Sequence, residues 1–344
     1  MRISIIVPVY NDPLNLVEAL SAIRAFAHPD VETIVVDDGS TDDIASAVDQ
    51  TGVRLLTLSR NSGPAAARNY GARHAQGDVL FFVDADVVLA PDALKHVEEA
   101  FQEQSDLAAV FGSYDAEPRA PGLISQYRNL LHHFVHQNGH SEASTFWAGC
   151  GAIRRPVFEA IGGFDEKRFP LPSIEDIELG YRLRRAGYRI LLHKSLQGKH
   201  LKRWNFLSVI KTDISRRAVP WTRLILETGN VPADLNLKWA QRASFVLTAL
   251  ACAFLALSTI RPGFLAPAGI AILGVFLLNR KLYAFLLRRK GILFAAACVP
   301  LHLLYFLYSG VSYLYVWIDF RLRRTISARG LSRPEVHRDR NTKA

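Results

Sequence analysis

Residues 77–89 read GDVLFFVDADVVL, an apolar run that carries two carboxylates, Asp84 and Asp86, one alanine apart. Ionised carboxylates are costly to bury unless something pairs with them. Read as one strand, the run puts residues i and i+2 on the same side, so Asp84 and Asp86 point together. In an open parallel sheet the ligand crevice lies outside the carboxyl ends of the strands. Two oxygen ligands there suit a hard divalent cation, Mg2+ or Mn2+, that keeps several waters and takes further oxygens from a diphosphate. The competing reading is a turn carboxylate capping the helix that opens at Pro91, and so short a motif does not choose between the two.

Upstream, ISIIVPVY (3–10) reads as a strand, followed by a helix pattern over 13–26. VETIVVDDGS (31–40) is an apolar run closing on a loop, and a short helix over 41–50 leads to VRLLTLS (53–59). GPAAARNYGARHA (63–75) is Ala-rich and helical, with Pro64 suited to its first turn. Downstream, PDALKHVEEAFQ (91–102) is a helix starting at another proline. Nearly all-apolar strands alternating with helices mark a parallel sheet covered on both faces, so residues 1–110 are expected to be α/β. From 107 to 205 the pattern is mixed, with a helix near 122–137 and another from Glu175 to a glycine cap at Gly187.

Charge divides the chain. Residues 1–198 hold 18 Lys/Arg against 26 Asp/Glu, whereas residues 199–344 hold 23 against 6, within an overall net charge of +9. The basic part is also the most hydrophobic, which points to an anionic membrane surface rather than nucleic acid. Residues 204–226 mix aromatic and aliphatic side chains with Lys211, Arg216, Arg217 and Arg223, as an interfacial amphipathic segment does. Three apolar stretches follow, at 243–260, 262–279 and 292–318, each reaching the ~18 residues of a membrane span. Lys238, Arg242 and the cluster Arg280, Lys281, Arg288, Arg289 and Lys290 favour cytoplasmic flanks. A third full span would put the basic tail outside, against the same rule, unless the segment re-enters or kinks near Gly310. Cys150, Cys252 and Cys298 are far apart, so neither a disulfide framework nor a zinc site is expected, in keeping with a reducing cytoplasmic face. The opening MRISIIVPVYND has too short an apolar run for a signal peptide.

Further charged residues fall where chemistry could use them. Asp37, Asp38 and Asp42 close the second strand, where carboxylates could bind a nucleobase or ribose. Arg68 lies on the helix of 63–75, where a guanidinium could meet a phosphate. Glu175, Asp176 and Glu178 open a helix, a position the helix dipole alone would favour. In order along the chain, IIVPVYND, VVDDGSTDD, RNSGPAAARNYG, FFVDADV, WAGCGAIRR, GGFDE and IEDIELGYRLRRAGYRI resemble the ordered motifs of the family 2 glycosyltransferases, over roughly residues 3–204. The resemblance implies a GT-A fold and inverting transfer from a nucleotide-diphospho-sugar. It places Pro8, Tyr10, Asp12 and Asp38 at the nucleoside, Arg68 near the diphosphate, and Gly149 and Gly151 beside the sugar. Asp84 and Asp86 become the metal motif, with Asp86 the more direct ligand, and Asp176 of the Glu175–Asp176 pair becomes the general base. KHLKRW (199–204) resembles the Gln-x-x-Arg-Trp motif of membrane-bound polysaccharide synthases, with His200 departing and Arg203 and Trp204 matching at the acceptor and membrane interface.

The chain is therefore expected to hold a GT-A catalytic domain at 1–204, with a nucleotide-binding half at 1–110 and an acceptor half at 111–204. An amphipathic segment at 205–240, a transmembrane region at 241–320 and a basic tail at 321–344 would follow. The expected protein is a multi-pass membrane transferase with its catalytic domain in the cytoplasm. It would use Mg2+ or Mn2+ to move one sugar from a nucleotide-diphospho-sugar to a lipid or lipid-linked acceptor in envelope glycan or glycolipid synthesis, with no nucleic acid partner. The alternatives are a processive polysaccharide synthase, or a sugar-nucleotide-binding scaffold of an envelope-assembly complex that is not an enzyme. His132, His133, His136 and His140 have a spacing that zinc could use, but a polar helix face near the acceptor groove explains them better.

Overall fold

The computed structural model describes residues 1–49, 51–229 and 238–328, the last three of these by backbone alone. The expected alternation is present: β1 (Ile3–Val9), α1 (Pro13–Phe26), β2 (Val31–Asp37), α2 (Ile44–Asp49), β3 (Arg54–Thr57), α3 (Pro64–His74) and β4 (Val79–Val83). Next come β5 (Val87–Leu89), α4 (Ala93–Glu103), β6 (Leu107–Tyr114), α5 (Leu123–Gln137), β7 (Cys150–Arg154), α6 (Arg155–Ala160), α7 (Glu175–Arg185) and β8 (Arg189–His200). They build one sheet in the order β3-β2-β1-β4-β7-β6-β8-β5. The half made of β3, β2, β1 and β4 is wholly parallel. The other half is mixed: β7 runs antiparallel to β4 and β6, β6 and β8 are parallel, and β5 is an antiparallel edge on β8. Both faces are covered. Ile3, Ile5 and Val7 pack beneath α1, while Ile6 packs with Ile34 and Val36 against Ala65 and Ala67 of α3. That is why the parallel strands read as continuous apolar runs.

The run 77–89 is not one strand. β4 ends at Val83, the Val87 N–H closes a turn on the Asp84 carbonyl at 3.0 Å, and β5 then joins β8. Two-residue alternation does not carry across such a turn, so Asp84 and Asp86 do not share a strand face.

Beyond β8, Asn205 and Ser208 form a reciprocal capping box that starts α8 (Phe206–Thr212). A π-helical stretch, Asp213–Ala218, joins it to α9 (Val219–Thr228). α10 (Trp239–Ser258), α11 (Leu265–Leu278) and α12 (Arg280–Ala328) follow. By length and composition, α10 and residues Arg280–Thr325 of α12 could each cross a membrane. The expected span 262–279 forms a 3-10 turn and then α11, whose 14 residues extend about 21 Å, short of a ~30 Å hydrocarbon core. α12 breaks at Gly291, where φ is 81°, and not near Gly310. Gly310 serves packing instead: a Cβ there would lie 2.1 Å from the Phe245 ring of α10. The expected segments 205–240 and 321–344 fall partly outside the described residues, at 230–237 and 329–344. The three cysteines are free thiols.

Candidate active site

The carboxyl ends of β1, β2, β3 and β4 lie along one edge of the sheet, and two loops there are stitched together. Asn11, at φ 52°, accepts from the Thr41 N–H at 2.8 Å through its Oδ1 and donates its own N–H to Ser40 Oγ at 2.9 Å. Asp12 accepts from Asn15 Nδ2 at the start of α1. Tyr10 is 46% exposed at this edge, Pro8 is half-buried, and a ring or base could stack there. Asp38 is buried. Its two oxygens accept the Ser62 and Gly63 N–H groups at 2.8 Å, which fixes the start of α3. Burial pushes its carboxyl up from the ordinary range, and those two amides pull the other way.

Arg68 joins the turn at Asp84 to the start of α7, which lies 107 residues beyond Arg68 itself. From α3 its Nη2 donates to Asp84 Oδ1 at 2.7 Å and its Nη1 to Glu175 Oε1 at 2.9 Å. Both terminal nitrogens are thus engaged by protein carboxylates, whereas the sequence resemblance placed this residue near the diphosphate. Burial works against the guanidinium charge, but Asp84, Glu175 and Asp176 together outweigh it and raise its pKa. Glu175 Oε2 also accepts the Ser173 N–H at 2.9 Å. One cation therefore aligns the turn carrying Asp86 with the helix carrying Asp176.

Asp176 sits in the first turn of α7, accepting the Ala148 N–H at 3.1 Å and the Ile177 N–H at 2.8 Å. Burial first, and then the neighbouring Glu175, push its carboxyl up to about 6, against the pull of Arg68 and those amides. A carboxyl in that range is poised for proton transfer near neutrality. α7 is held close to the loop before β7 because Gly180 allows it: a Cβ there would lie 2.4 Å from Phe146 N. Gly149 and Gly151 flank the same loop. The Gly149 carbonyl accepts the Asp84 N–H at 3.2 Å, and a Cβ at Gly151 would lie 2.3 Å from the Trp147 carbonyl oxygen.

Asp86 has a different partner from Asp84. Its Oδ2 lies 3.4 Å from His200 Nε2, because Val87 of β5 pairs with His200 of β8. His200 Nδ1 is 2.7 Å from Asn129 Oδ1, and its ring stacks on Tyr114 at 4.2 Å. With Nδ1 donating to that amide oxygen, Nε2 faces the Asp86 carboxylate: protonated, it donates to Asp86, and neutral, its lone pair and the carboxylate converge. Two converging acceptors suit a cation between them. Burial would raise the Asp86 carboxyl, but His200 and then Lys202 hold it below the usual range. Among the described residues no cluster of three or more His, Cys, Asp or Glu side chains could hold a metal. An ion here would use Asp86 and His200, with its remaining positions open to water or ligand oxygens.

The sequence reading put His200 at the membrane interface, and no sequence signal joined it to Asp86, Asn129 and Tyr114. Trp204 does lie at the junction with the helices: its backbone N–H donates to Ser125 Oγ at 2.7 Å, and Lys202 and Arg128 lie over its ring. Arg203 is exposed. Arg128 donates to Asp213 at 3.1 Å, and the Tyr308 hydroxyl of α12 donates to the same carboxylate at 2.6 Å. Three parts of the chain meet there. Of the histidines on α5, His133 and His136 hold the carbonyls of Tyr114 and Gly112 through Nδ1.

A family model described as glycosyl transferase family 2 matches residues 4–162. An uncharacterized glycosyltransferase of Haemophilus influenzae is 38% identical over 117 residues, which is 33% of this chain and 46% of that protein. A dolichol-phosphate mannosyltransferase of Pyrococcus furiosus is 26% identical over 209 residues, 59% of this chain and 54% of that protein. The match spans between 19% and 46% of the length of the more similar curated relatives. The mannosyltransferase PcManGT of Pyrobaculum calidifontis, solved with GDP-Man and Mn2+, aligns over 91% of this chain and 87% of its own, with a TM-score of 0.56 and 20% identity. S. aureus TarS 1-349 in complex with UDP-GlcNAc aligns over 94% and 92%, with a TM-score of 0.51 and 18% identity. At these identities the structural likeness establishes the fold, GT-A.

Proposed function

We propose that the chain, whose residues 4–162 match the family 2 glycosyltransferase model, belongs to that family and moves a sugar, with inversion, from a nucleotide-diphospho-sugar to a lipid or lipid-linked acceptor at the cytoplasmic face of a membrane. The observation that carries this reading is the Arg68 bridge. One guanidinium bonded to both Asp84 and Glu175 brings together the turn that carries Asp86, two residues beyond Asp84, and the helix start that carries Asp176.

In this reading Tyr10, Pro8 and Asp12 border the nucleoside, and Asp38 shapes that pocket by pinning Ser62 and Gly63. Asp86 and His200 hold the divalent cation, and the imidazole in that donor set favours Mn2+ over Mg2+. When bound, the ion neutralises charge on the departing diphosphate. Asp176 takes the proton of the acceptor hydroxyl as its oxygen bonds to the anomeric carbon and the bond to the diphosphate breaks. A lipid-phosphate acceptor would need that base less. Arg68 is then a positioning residue. The bound Mn2+, GDP-Man and UDP-GlcNAc of the structural neighbours support the donor class and the metal. The exposed apolar faces of α10 and α12 support the membrane placement.

The test is nucleoside-diphosphate release by the detergent-purified protein over a panel of sugar nucleotides with Mn2+, with and without native lipid extract. Release from one donor that requires the lipid and disappears in Asp176→Asn is the expected result. Donor binding without release under any condition would sink the transferase reading and favour a binding scaffold.

A further inference from the structure

Two adjoining clefts share Arg223, one between α9 and α12 and the other between the loop of residues 168–173 and the helices of 206–228. The larger, about 420 Å³, is lined by Arg223 and Glu227 of α9 and by residues of α12 that include Asp319, Phe320, Arg323 and Arg324. The smaller, about 230 Å³, runs past Arg168, Ser173 and Arg216. Five guanidinium groups therefore face two carboxylates. Both carboxylates are already engaged, Glu227 by Arg168 and Asp319 by Arg323 at 2.8 Å. Arg223 approaches Asp319 only to 3.9 Å, outside hydrogen-bond range. Among the described residues no carboxylate pairs with Arg216 or Arg324.

Five guanidinium groups against two carboxylates leave a net excess of three positive charges in a concave site, which matches an anion with several oxygens, and phosphate best of all. Along the same helix, on its outward side, Leu314, Trp317, Ile318 and Leu322 are exposed, so the charged cleft lies on a candidate membrane span whose other face is apolar. A phosphate attached to acyl chains satisfies both neighbours at once, which neither a free anion nor an acidic peptide does. We infer that this groove binds the phosphate of an anionic phospholipid of the surrounding bilayer. The inference rests on the membrane placement proposed above.

The groove also touches the catalytic side. Ser173 donates its hydroxyl to the Arg216 carbonyl at 3.0 Å and its N–H to Glu175 at 2.9 Å. A bound headgroup thus bears on the loop that holds Glu175 beside Asp176.

The experiment is native mass spectrometry on the full chain in detergent, with phosphatidylglycerol and phosphatidylcholine of identical acyl chains. The wild type should retain phosphatidylglycerol about tenfold more tightly or better. The triple variant Arg216→Gln, Arg223→Gln, Arg324→Gln should lose that preference. The control triple Arg288→Gln, Arg289→Gln, Lys290→Gln should keep it. Equal retention of the two lipids, or equal loss in both triples, would overturn the site. Competition by inorganic phosphate at concentrations matching the lipid would overturn the lipid as its source. Should the first triple misfold by circular dichroism, Arg324→Gln alone, at an exposed position, should still reduce the preference, and an unchanged preference would count against the site. Donor turnover in the presence of native lipid extract is recorded on the same protein preparations. Lipid preference without turnover refutes the transferase and leaves the groove standing, and turnover without lipid preference does the reverse.

Discussion

Phe82 and Leu250 are both large apolar side chains, yet Phe82 is 0% exposed inside the sheet domain and Leu250 of α10 is 42% exposed. The contrast is general. Sheet residues such as Phe81, Ile5 and Phe111 are fully enclosed, while Ile270, Leu293 and Tyr315 on the C-terminal helices face outward. The sheet domain encloses its own apolar phase, whereas the C-terminal helices leave many of their large apolar side chains exposed. Charge shows the complementary pattern. The sheet domain buries Arg68 between Asp84 and Glu175, and the junction buries Arg128 with Asp213. The lesson is that apolar burial holds the sheet domain together, while at the junction an apolar cluster that includes Leu130 of α5 and Leu286 of α12 is joined by a buried ion pair and a tyrosine hydroxyl.

The largest expected effect separates function from fold. Asp176→Asn should lower nucleoside-diphosphate release by roughly 10²–10⁴-fold. In the wild type, release should fall as pH drops through about 6, where this carboxyl gains its proton. The same substitution should not lower the melting temperature at pH 7.5. Folding raises this pKa, so the stabilising contribution of the protonated form is complete below pH about 4 and lost as pH rises through about 6. Neutral Asn retains that contribution, with a gain of at most about 3 kcal/mol. A lower melting temperature at pH 7.5 together with unchanged release would remove Asp176 from the mechanism.

The second prediction tests the sheet side directly. Phe82→Ala takes a ring from between Phe158 and Phe164, at 5.4 and 5.2 Å, and should cost about 3–5 kcal/mol in denaturant unfolding. Third, Asp213→Asn leaves the Arg128 charge without its partner and should cost about 3 kcal/mol. Scanning calorimetry should then resolve two transitions in place of one, and a single unshifted transition would mean that the pair does not join the regions. The smallest effect should be Leu250→Ala, within about 0.5 kcal/mol in detergent. A cost comparable to that of Phe82→Ala would erase the distinction between the two regions.

Much of the site was legible because motif residues cluster where strands end. Continuous apolar runs gave the parallel strands, and carboxylates at their ends marked the ligand edge. The Asp84–Asp86 face was misjudged because a turn inside an apolar run looks like strand when only side-chain types are visible. His200 was assigned from its neighbours Arg203 and Trp204, yet it faces Asp86 because β5 and β8 pair across more than 100 residues of chain. Asp213 gave no signal at all: one acid in a basic segment looks like surface until Arg128 and Tyr308 are seen around it.

The sequence by itself determined the layered α/β sheet, the carboxylates at its strand ends and the apolar basic C-terminal region. These follow from local periodicity and residue chemistry, which the chain carries wherever it folds. Only the tertiary structure decided that Arg68 ties two motifs together, that His200 rather than Asp84 faces Asp86, and that α12 breaks at Gly291. Those facts depend on long-range pairing and on which buried charge finds which partner. Desolvation leaves a buried charge few tolerable arrangements, and the fold as a whole selects among them.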